Sequence, residues 1–191
     1  MAASDAQGND FVSKARLEFL SEGVFAIAMT ILVIEIKIPE LSNPRSAREL
    51  LGGLRHEWYV LFGWMLSVVV LGLLWAGGHR LSHHVVRVTR AIFACNLLLM
   101  ASAAFLPFCV GVFARYPSNA ASYFLYFGTL ELYMLGLAAQ LAVAKRQGAL
   151  DPALTPASLS GLRRRSRRAV LMPLLVLALC LFRFWPHSSA H

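Results

Sequence analysis

Five apolar stretches divide this chain, and each is long enough, or nearly so, to cross a lipid bilayer as a helix. The hydrocarbon core is about 30 Å thick and takes about 20 apolar residues in helical form. Backbone groups at that depth must form hydrogen bonds within the segment, which favours helices. We predict an all-α integral membrane protein, a bundle of five transmembrane helices. The predicted spans are residues 19–38, 58–78, 91–113, 120–144 and 169–185.

Composition supports a single membrane domain. Of the 191 residues, 58% are hydrophobic and 15% are charged, whereas soluble domains have about 45–50% apolar and about 25% charged residues. Little hydrophilic length is left for a separate soluble domain. We predict a cytoplasmic segment over residues 1–15, one transmembrane domain over 16–187 and a tail over 188–191.

The basic residues predict the orientation. The net charge is +8, and most Lys and Arg residues lie in the loops between the spans. Loops that are rich in Lys and Arg lie on the cytoplasmic side of a membrane. We therefore predict a cytoplasmic N-terminus, and we assign the positive charge to topology and lipid headgroups, not to nucleic acid. The two loops predicted to be cytoplasmic carry Arg80, Arg87 and Arg90, and Lys145, Arg146, Arg163, Arg164, Arg165, Arg167 and Arg168.

Enzyme signatures are missing from the sequence. It contains no GxSxG, HExxH, P-loop or dinucleotide fingerprint. Cys95, Cys109 and Cys180 lie in apolar stretches without the spacing of a metal site. We expect no enzymatic activity, no metal and no cofactor.

The first span begins with polar residues. Glu18 and Glu22 are four residues apart and share a helix face, with Ser21 beside them. Ionisable groups at membrane depth mark function or a polar network, although an interfacial salt-bridge anchor is an alternative. The cytoplasmic end of the second span carries a cluster of His79, Arg80, His83 and His84 at the matching depth, which predicts a pairing with Glu18 or Glu22. The alternative is that these side chains are only solvated at the membrane boundary.

An isoleucine stripe follows on the same span. Ile27, Ile31 and Ile34 recur at helical spacing, with Thr30 at the edge of the stripe. Facing a central axis in an oligomer, such residues form a hydrophobic constriction. Packing against other helices or against lipid explains the same pattern.

Glu131 is a lone acid near the middle of the fourth span, where it should face the bundle interior. It predicts either a hydrogen bond to a neighbouring helix or a role in proton handling. Together with His79, His83 and His84 it supports an alternative function, a small proton-coupled transporter. A non-conducting accessory membrane subunit is a further alternative.

Residues 16–39 resemble the first helix of the transmembrane protein 175 family. That family's signature is Arg, three residues, then Phe-Ser-Asp-Gly; Arg16, Ser21 and Gly23 match it, whereas Leu20 and Glu22 replace Phe and Asp. The resemblance continues after the first span. The further matching positions are Ser67, Trp75, His79, Arg80, and the run from Asn96 to Pro107.

The resemblance implies a potassium-permeable cation channel of a bacterial or archaeal plasma membrane. Family members of this kind are tetramers that line the pore with the first helix, so the expected partners are other copies of the chain, the bilayer and monovalent cations. By resemblance, Ile27, Ile31 and Ile34 lie along the pore with Thr30 beside the narrowest ring. Arg16, Ser21 and Glu22 form a polar network that reaches Trp75 and His79. Glu35 near the outer mouth concentrates cations there.

Two departures from the family accompany this resemblance. The bacterial subunit has six helices, whereas five spans are predicted here; either this protein does without the sixth helix or the chain is cut short. Glu22 is also one methylene longer than the Asp of the signature.

Overall fold

A computed structural model describes residues 11–36, 40–56, 58–116, 118–155, 157–158, 160–162, 164, 170–171, 174–175 and 178. Four helices in the described part are long and apolar enough to cross a membrane. The predicted all-α membrane architecture is confirmed. The helices are α1 (Lys14–Ile31), α2 (Ala47–His56), α3 (Trp58–His84), α4 (Arg90–Arg115) and α5 (Ala120–Arg146), and a 3₁₀ turn over Leu32–Glu35 continues α1.

The first two spans differ from the prediction at their ends. The first begins five residues earlier than predicted, at Lys14, and its 3₁₀ turn stops before Ile36, whose backbone is extended. The helix therefore does not reach residue 38. The second span continues past Gly78 to His84, because basic side chains in a last helical turn interact favourably with its exposed carbonyl groups. The fifth predicted span, 169–185, lies largely outside the described residues.

Helix α2 was not predicted. Its apolar residues Leu50, Leu51 and Leu54 lie on one face of a short helix and are exposed, as expected of a helix lying along a membrane interface. The carboxylate of Glu49 accepts backbone N–H groups from Ser42, at 2.6 Å, and from Asn43, at 3.0 Å. These bonds hold the pKa of Glu49 below its ordinary value.

Helix α4 lies between α1 and α5, and its longest contact is with α5. Leu99, Ala103 and Leu106 of α4 are buried in the main core with Phe25 of α1 and Tyr133 of α5. A second, smaller core lies nearer the predicted cytoplasmic end. Its buried members are Leu17, Val85, Val88, Ile92, Met100, Ala144 and Ala149.

The cytoplasmic ends of α3 and α5 are tied together by backbone hydrogen bonds. Gly148 has a φ of 59° and ends α5 in a left-handed turn, in which the Ala149 N–H donates to the Ala144 carbonyl over 2.9 Å. The chain beyond this turn then meets the end of α3. The Val86 N–H donates to the Ala149 carbonyl and the Asp151 N–H donates to the His84 carbonyl, both over 2.9 Å.

Candidate functional site

Helix α1 has one packed face and one uncovered face. Leu17, Phe25 and Ala28 are buried against the rest of the subunit. On other sides of the helix, Ile27 is 60% exposed, Ile31 41% and Ile34 76%. Among the described residues the predicted stripe is therefore left exposed, and in a membrane it is open to lipid or to another copy of the chain.

The 3₁₀ turn preserves the stripe at its outer end. The spacing of Ile27, Ile31 and Ile34 places them on one face of a continuous α-helix. Ile34, however, lies in the 3₁₀ turn Leu32–Glu35. Residues three apart eclipse one another in a 3₁₀ helix, so Ile34 stays nearly in line with Ile31. Glu35 closes the turn, and its side chain lies outside the described part of the structure.

Thr30 is exposed on the same side of α1. Its hydroxyl donates a hydrogen bond to the Ile27 carbonyl over 2.8 Å. Because the hydroxyl proton is used within the helix, the oxygen lone pairs are left for a group outside it. Thr30 thus presents an acceptor oxygen, and no free donor, beside the exposed isoleucines.

A small cavity with several polar lining residues lies between α1, α3, α4 and α5, near their predicted cytoplasmic ends. Its volume is about 30 Å³, on the scale of one or two water molecules. Glu18, Ser21, Glu22, Trp75, His79 and Asn96 are among its lining residues.

One contact between a histidine and a carboxylate links two helices across this cavity. The Nδ1 atom of His79 on α3 is 4.0 Å from the Glu22 carboxylate on α1, and both side chains are about half exposed. Stacking of the His79 ring on Trp75, with centroids 5.1 Å apart, orients the imidazole. The structure thus brings Glu22 and His79 together at matched depth. Ser21 instead donates to the Leu17 carbonyl of its own helix over 2.9 Å.

The structure does not place Arg16 in this cluster. Its side chain is exposed, and residues two apart on a helix do not face each other, so Arg16 points away from Glu18. Lys14, four residues before Glu18, takes the ion-pair position at 3.8 Å. The i, i+4 spacing of Lys14 and Glu18 was the signal in the sequence that the prediction missed.

Asn96 is a further cavity residue that the sequence analysis did not select as a site. Its residue surface is 6% exposed, and its side-chain amide has no hydrogen-bond partner among the described residues. A buried amide without a protein partner is normally satisfied by an ordered water, which the cavity can hold.

Glu131 faces the interior as predicted and is 6% exposed. The expected hydrogen bond to a neighbouring helix is not formed, because neither carboxylate oxygen has a partner among the described residues. Glu131 is also not among the residues lining the cavity that contains His79. The described residues contain no group of three His, Cys, Asp or Glu side chains placed to hold a metal ion.

Comparison with known proteins gives consistent matches to one family. Residues 16–107 match the family model described as the endosomal/lysosomal potassium channel TMEM175. A potassium channel of Streptomyces collinus is 35% identical over 105 residues, which is 53% of this chain and 48% of that protein. The chain thus spans about half the length of this bacterial relative. The human endosomal/lysosomal proton channel TMEM175 is 32% identical over 116 residues, or 56% of this chain and 23% of that one.

A solved structure also resembles this fold. The crystal structure of a lysosomal potassium-selective channel TMEM175 homolog from Chamaesiphon minutus superposes with a TM-score of 0.73 at 25% identity. The superposition covers 90% of this chain and 88% of that one. The similarity therefore extends well beyond the first helix, where the sequence signature is concentrated.

Proposed function

We propose that this chain is a potassium-permeable cation channel of the TMEM175 type, because residues 16–107 match the model of that family. The proposed unit is a homotetramer in a prokaryotic plasma membrane, with α1 of each subunit lining the pathway. Relatives described as potassium channels in Streptomyces collinus and Chamaesiphon minutus support the choice of ion. Conduction in this proposal is passive and requires neither catalysis nor a cofactor.

The observation that carries the proposal is the uncovered face of α1. Ile27, Ile31 and Ile34 project from a helix whose other side is fixed to the core through Phe25 and Ala28. Around a fourfold axis these side chains form successive apolar rings. Such rings hinder the passage of ions by dewetting when narrow and let hydrated ions pass when wider.

Thr30 supplies the polar contact within the apolar pathway. Its hydroxyl proton is held by the Ile27 carbonyl, so its oxygen can accept a contact from a passing cation. No carbonyl filter is required in this arrangement, and selectivity arises from the width of the rings and from the oxygen contact.

Fixing the opposite side of α1 gives the rings a defined width. The contact between Glu22 and His79 at 4.0 Å and that of Phe25 with Tyr133, whose ring centroids are 6.1 Å apart, join α1 to its neighbours at two depths. A helix anchored at two depths resists rotation about its own axis, and rotation would turn the isoleucines out of the pathway.

Proton conduction is the second candidate. The vertebrate relatives are described as proton channels, and Glu131 is a buried acid with no partner. A proton pathway through Glu131 would carry current under a pH gradient alone and would not require the stripe on α1.

Reconstitution into liposomes tests the proposal. Purified full-length protein should release potassium down a gradient, with smaller fluxes for sodium and for protons under matched conditions. Ile27→Asn should increase ion leak and weaken discrimination between potassium and sodium, because a polar side chain at the ring keeps it hydrated.

The matched control is Val69→Asn, a similar change at an exposed apolar position of α3. It should leave the flux and the selectivity as in the wild type. Equal effects of the two substitutions would refute a pathway lined by Ile27. Flux of protons without potassium would favour the second candidate, and no flux at all would favour an accessory subunit.

A further inference from the structure

An apolar groove separates α3 from α5 on the cytoplasmic half of the molecule. It has a volume of about 180 Å³, comparable to apolar protein cavities of about 150 Å³ that bind benzene. We call it the α3–α5 groove. Its lining includes Gly77, Arg80 and Leu81 on α3, Leu137 and Leu141 on α5, and Leu162 in the chain after α5.

Hydrogen bonds fix the two helices at both ends of the groove. At the end nearer the membrane centre, the Tyr133 hydroxyl donates to the Leu74 carbonyl over 2.9 Å. At the cytoplasmic end, the backbone bonds of Val86 with Ala149 and of Asp151 with His84 join the chain after α5 to the end of α3. The helices are thus held at both ends of the open space between them.

Gly77 leaves the middle of the groove open. A Cβ atom built at this position would have only the Leu137 Cδ2 atom near it, at 3.8 Å. A larger side chain there would occupy the space between the helices. A substitution at Gly77 can therefore fill part of the groove without a backbone clash.

The charges around the groove favour an anion at its cytoplasmic end. Arg80 lines the groove and is exposed, without an acidic partner among the described residues. Lys145 and Arg146 end α5 on the same side of the membrane and are exposed. An apolar groove with an unpaired arginine at the depth of the headgroups matches the chemistry of an anionic phospholipid.

We infer that the α3–α5 groove binds one acyl chain of an anionic phospholipid of the cytoplasmic leaflet, with its phosphate on Arg80. The apolar side chains of Leu81, Leu137 and Leu141 contact the chain and exclude water from it. The guanidinium of Arg80 presents several donors to phosphate oxygens. This inference concerns a lipid site and does not depend on ion conduction.

Native mass spectrometry of the full-length protein with mixed phosphatidylglycerol and phosphatidylcholine tests the site. The wild type should retain phosphatidylglycerol in preference to phosphatidylcholine. Arg80→Gln should weaken that preference by about five-fold, the factor expected for one basic residue near an anionic surface. The matched control is Arg115→Gln. Arg115 is the last residue of α4, on the side of the membrane opposite to Arg80, so this variant should leave the preference unchanged.

Filling the groove is the second arm. Gly77→Leu should reduce retention of both lipids, whereas Gly72→Leu, at a position of α3 with no atom within 4 Å of a Cβ, should not. Equal lipid retention by each variant and its control would overturn the site. The lipid site would also be overturned if Gly77→Leu changed the number of subunits while lipid retention stayed the same, because a second copy of the chain would then occupy the groove. Retention is measured without flux, so failure of the channel proposal leaves this test intact.

Discussion

The hydroxyl of Tyr133 on α5 donates a hydrogen bond to the carbonyl oxygen of Leu74 on α3 over 2.9 Å. The same ring lies edge-on to Phe25 of α1 at 6.1 Å. Tyr133 is fully buried, so one side chain joins three helices behind the face of α1 that carries the isoleucine stripe. The position of that stripe depends on this contact.

Replacing Tyr133 with Phe should lower the stability of the protein by about 1 kcal/mol, because one buried hydrogen bond is lost while the ring packing is kept. In thermal unfolding this corresponds to a decrease of about 2–4 °C for a chain of this size. Tyr116→Phe, at an exposed tyrosine, is the control and should not change the unfolding temperature. Equal unfolding temperatures for the two variants would show that the Tyr133 bond contributes nothing.

Gly78→Ala should destabilise the protein more than Tyr133→Phe does. A Cβ atom at Gly78 would lie 2.8 Å from the Tyr133 hydroxyl oxygen, so the ring must move away from Leu74 or α3 must shift. A cost of about 1–3 kcal/mol is expected for such overpacking. Gly72→Ala, with open space around its Cβ, should be neutral or slightly stabilising.

A double-mutant cycle tests the cause of the Gly78 effect. Combining Gly78→Ala with Tyr133→Phe removes the oxygen that the new methyl group meets. The double variant should therefore be more stable than the sum of the two single effects predicts. Strict additivity of the unfolding free energies would contradict a direct clash between these two positions.

Glu49 should make the loop before α2 sensitive to acid. The N–H groups of Ser42 and Asn43 lower the pKa of its carboxyl, so the carboxylate stabilises the folded loop at neutral pH. That stabilisation is lost as the pH falls through the lowered pKa. Hydrogen-exchange protection of the Ser42 and Asn43 amides should decrease over the same pH range. In Glu49→Gln the protection should be low at all pH values, and a wild-type decrease that persists in this variant would assign the effect to another group.

The sequence predicts the transmembrane helices well because apolar length is a strong constraint in lipid. Their ends are less predictable. Helix α3 continues to His84 past the charged Arg80, since Arg and His side chains at a membrane boundary reach water while their backbone stays helical. Helix α2 was missed because Leu50, Leu51 and Leu54 are diluted by polar neighbours and form an apolar face only when the segment is helical.

The candidate site is only partly readable from sequence for similar reasons. Matching depth on two helices predicted that the His/Arg cluster of α3 pairs with Glu18 or Glu22, but it did not single out Glu22 and His79. Spacing alone does not say whether Ile27 faces lipid or a pathway, because both are compatible with an uncovered isoleucine. The surroundings of Asn96 depend on a cavity formed by four separate helices, which no local pattern in the sequence predicts.

Replacing Glu131 with Gln separates the channel from a proton-coupled mechanism. Glu131 is buried, and both of its carboxylate oxygens lack a partner in the described part of the structure, so a neutral amide of similar shape removes the cost of placing a charge there. The variant should keep its potassium flux and should unfold at the same temperature as the wild type or above it. Proton flux under a pH gradient is measured in liposomes prepared in the same way. The proton flux of Glu131→Gln is compared with that of the wild type and of Gln140→Glu, a second variant at a buried position of α5. If Glu131→Gln loses both its potassium flux and its proton flux, conduction requires this carboxyl. That result would refute a passive pathway lined by α1 alone.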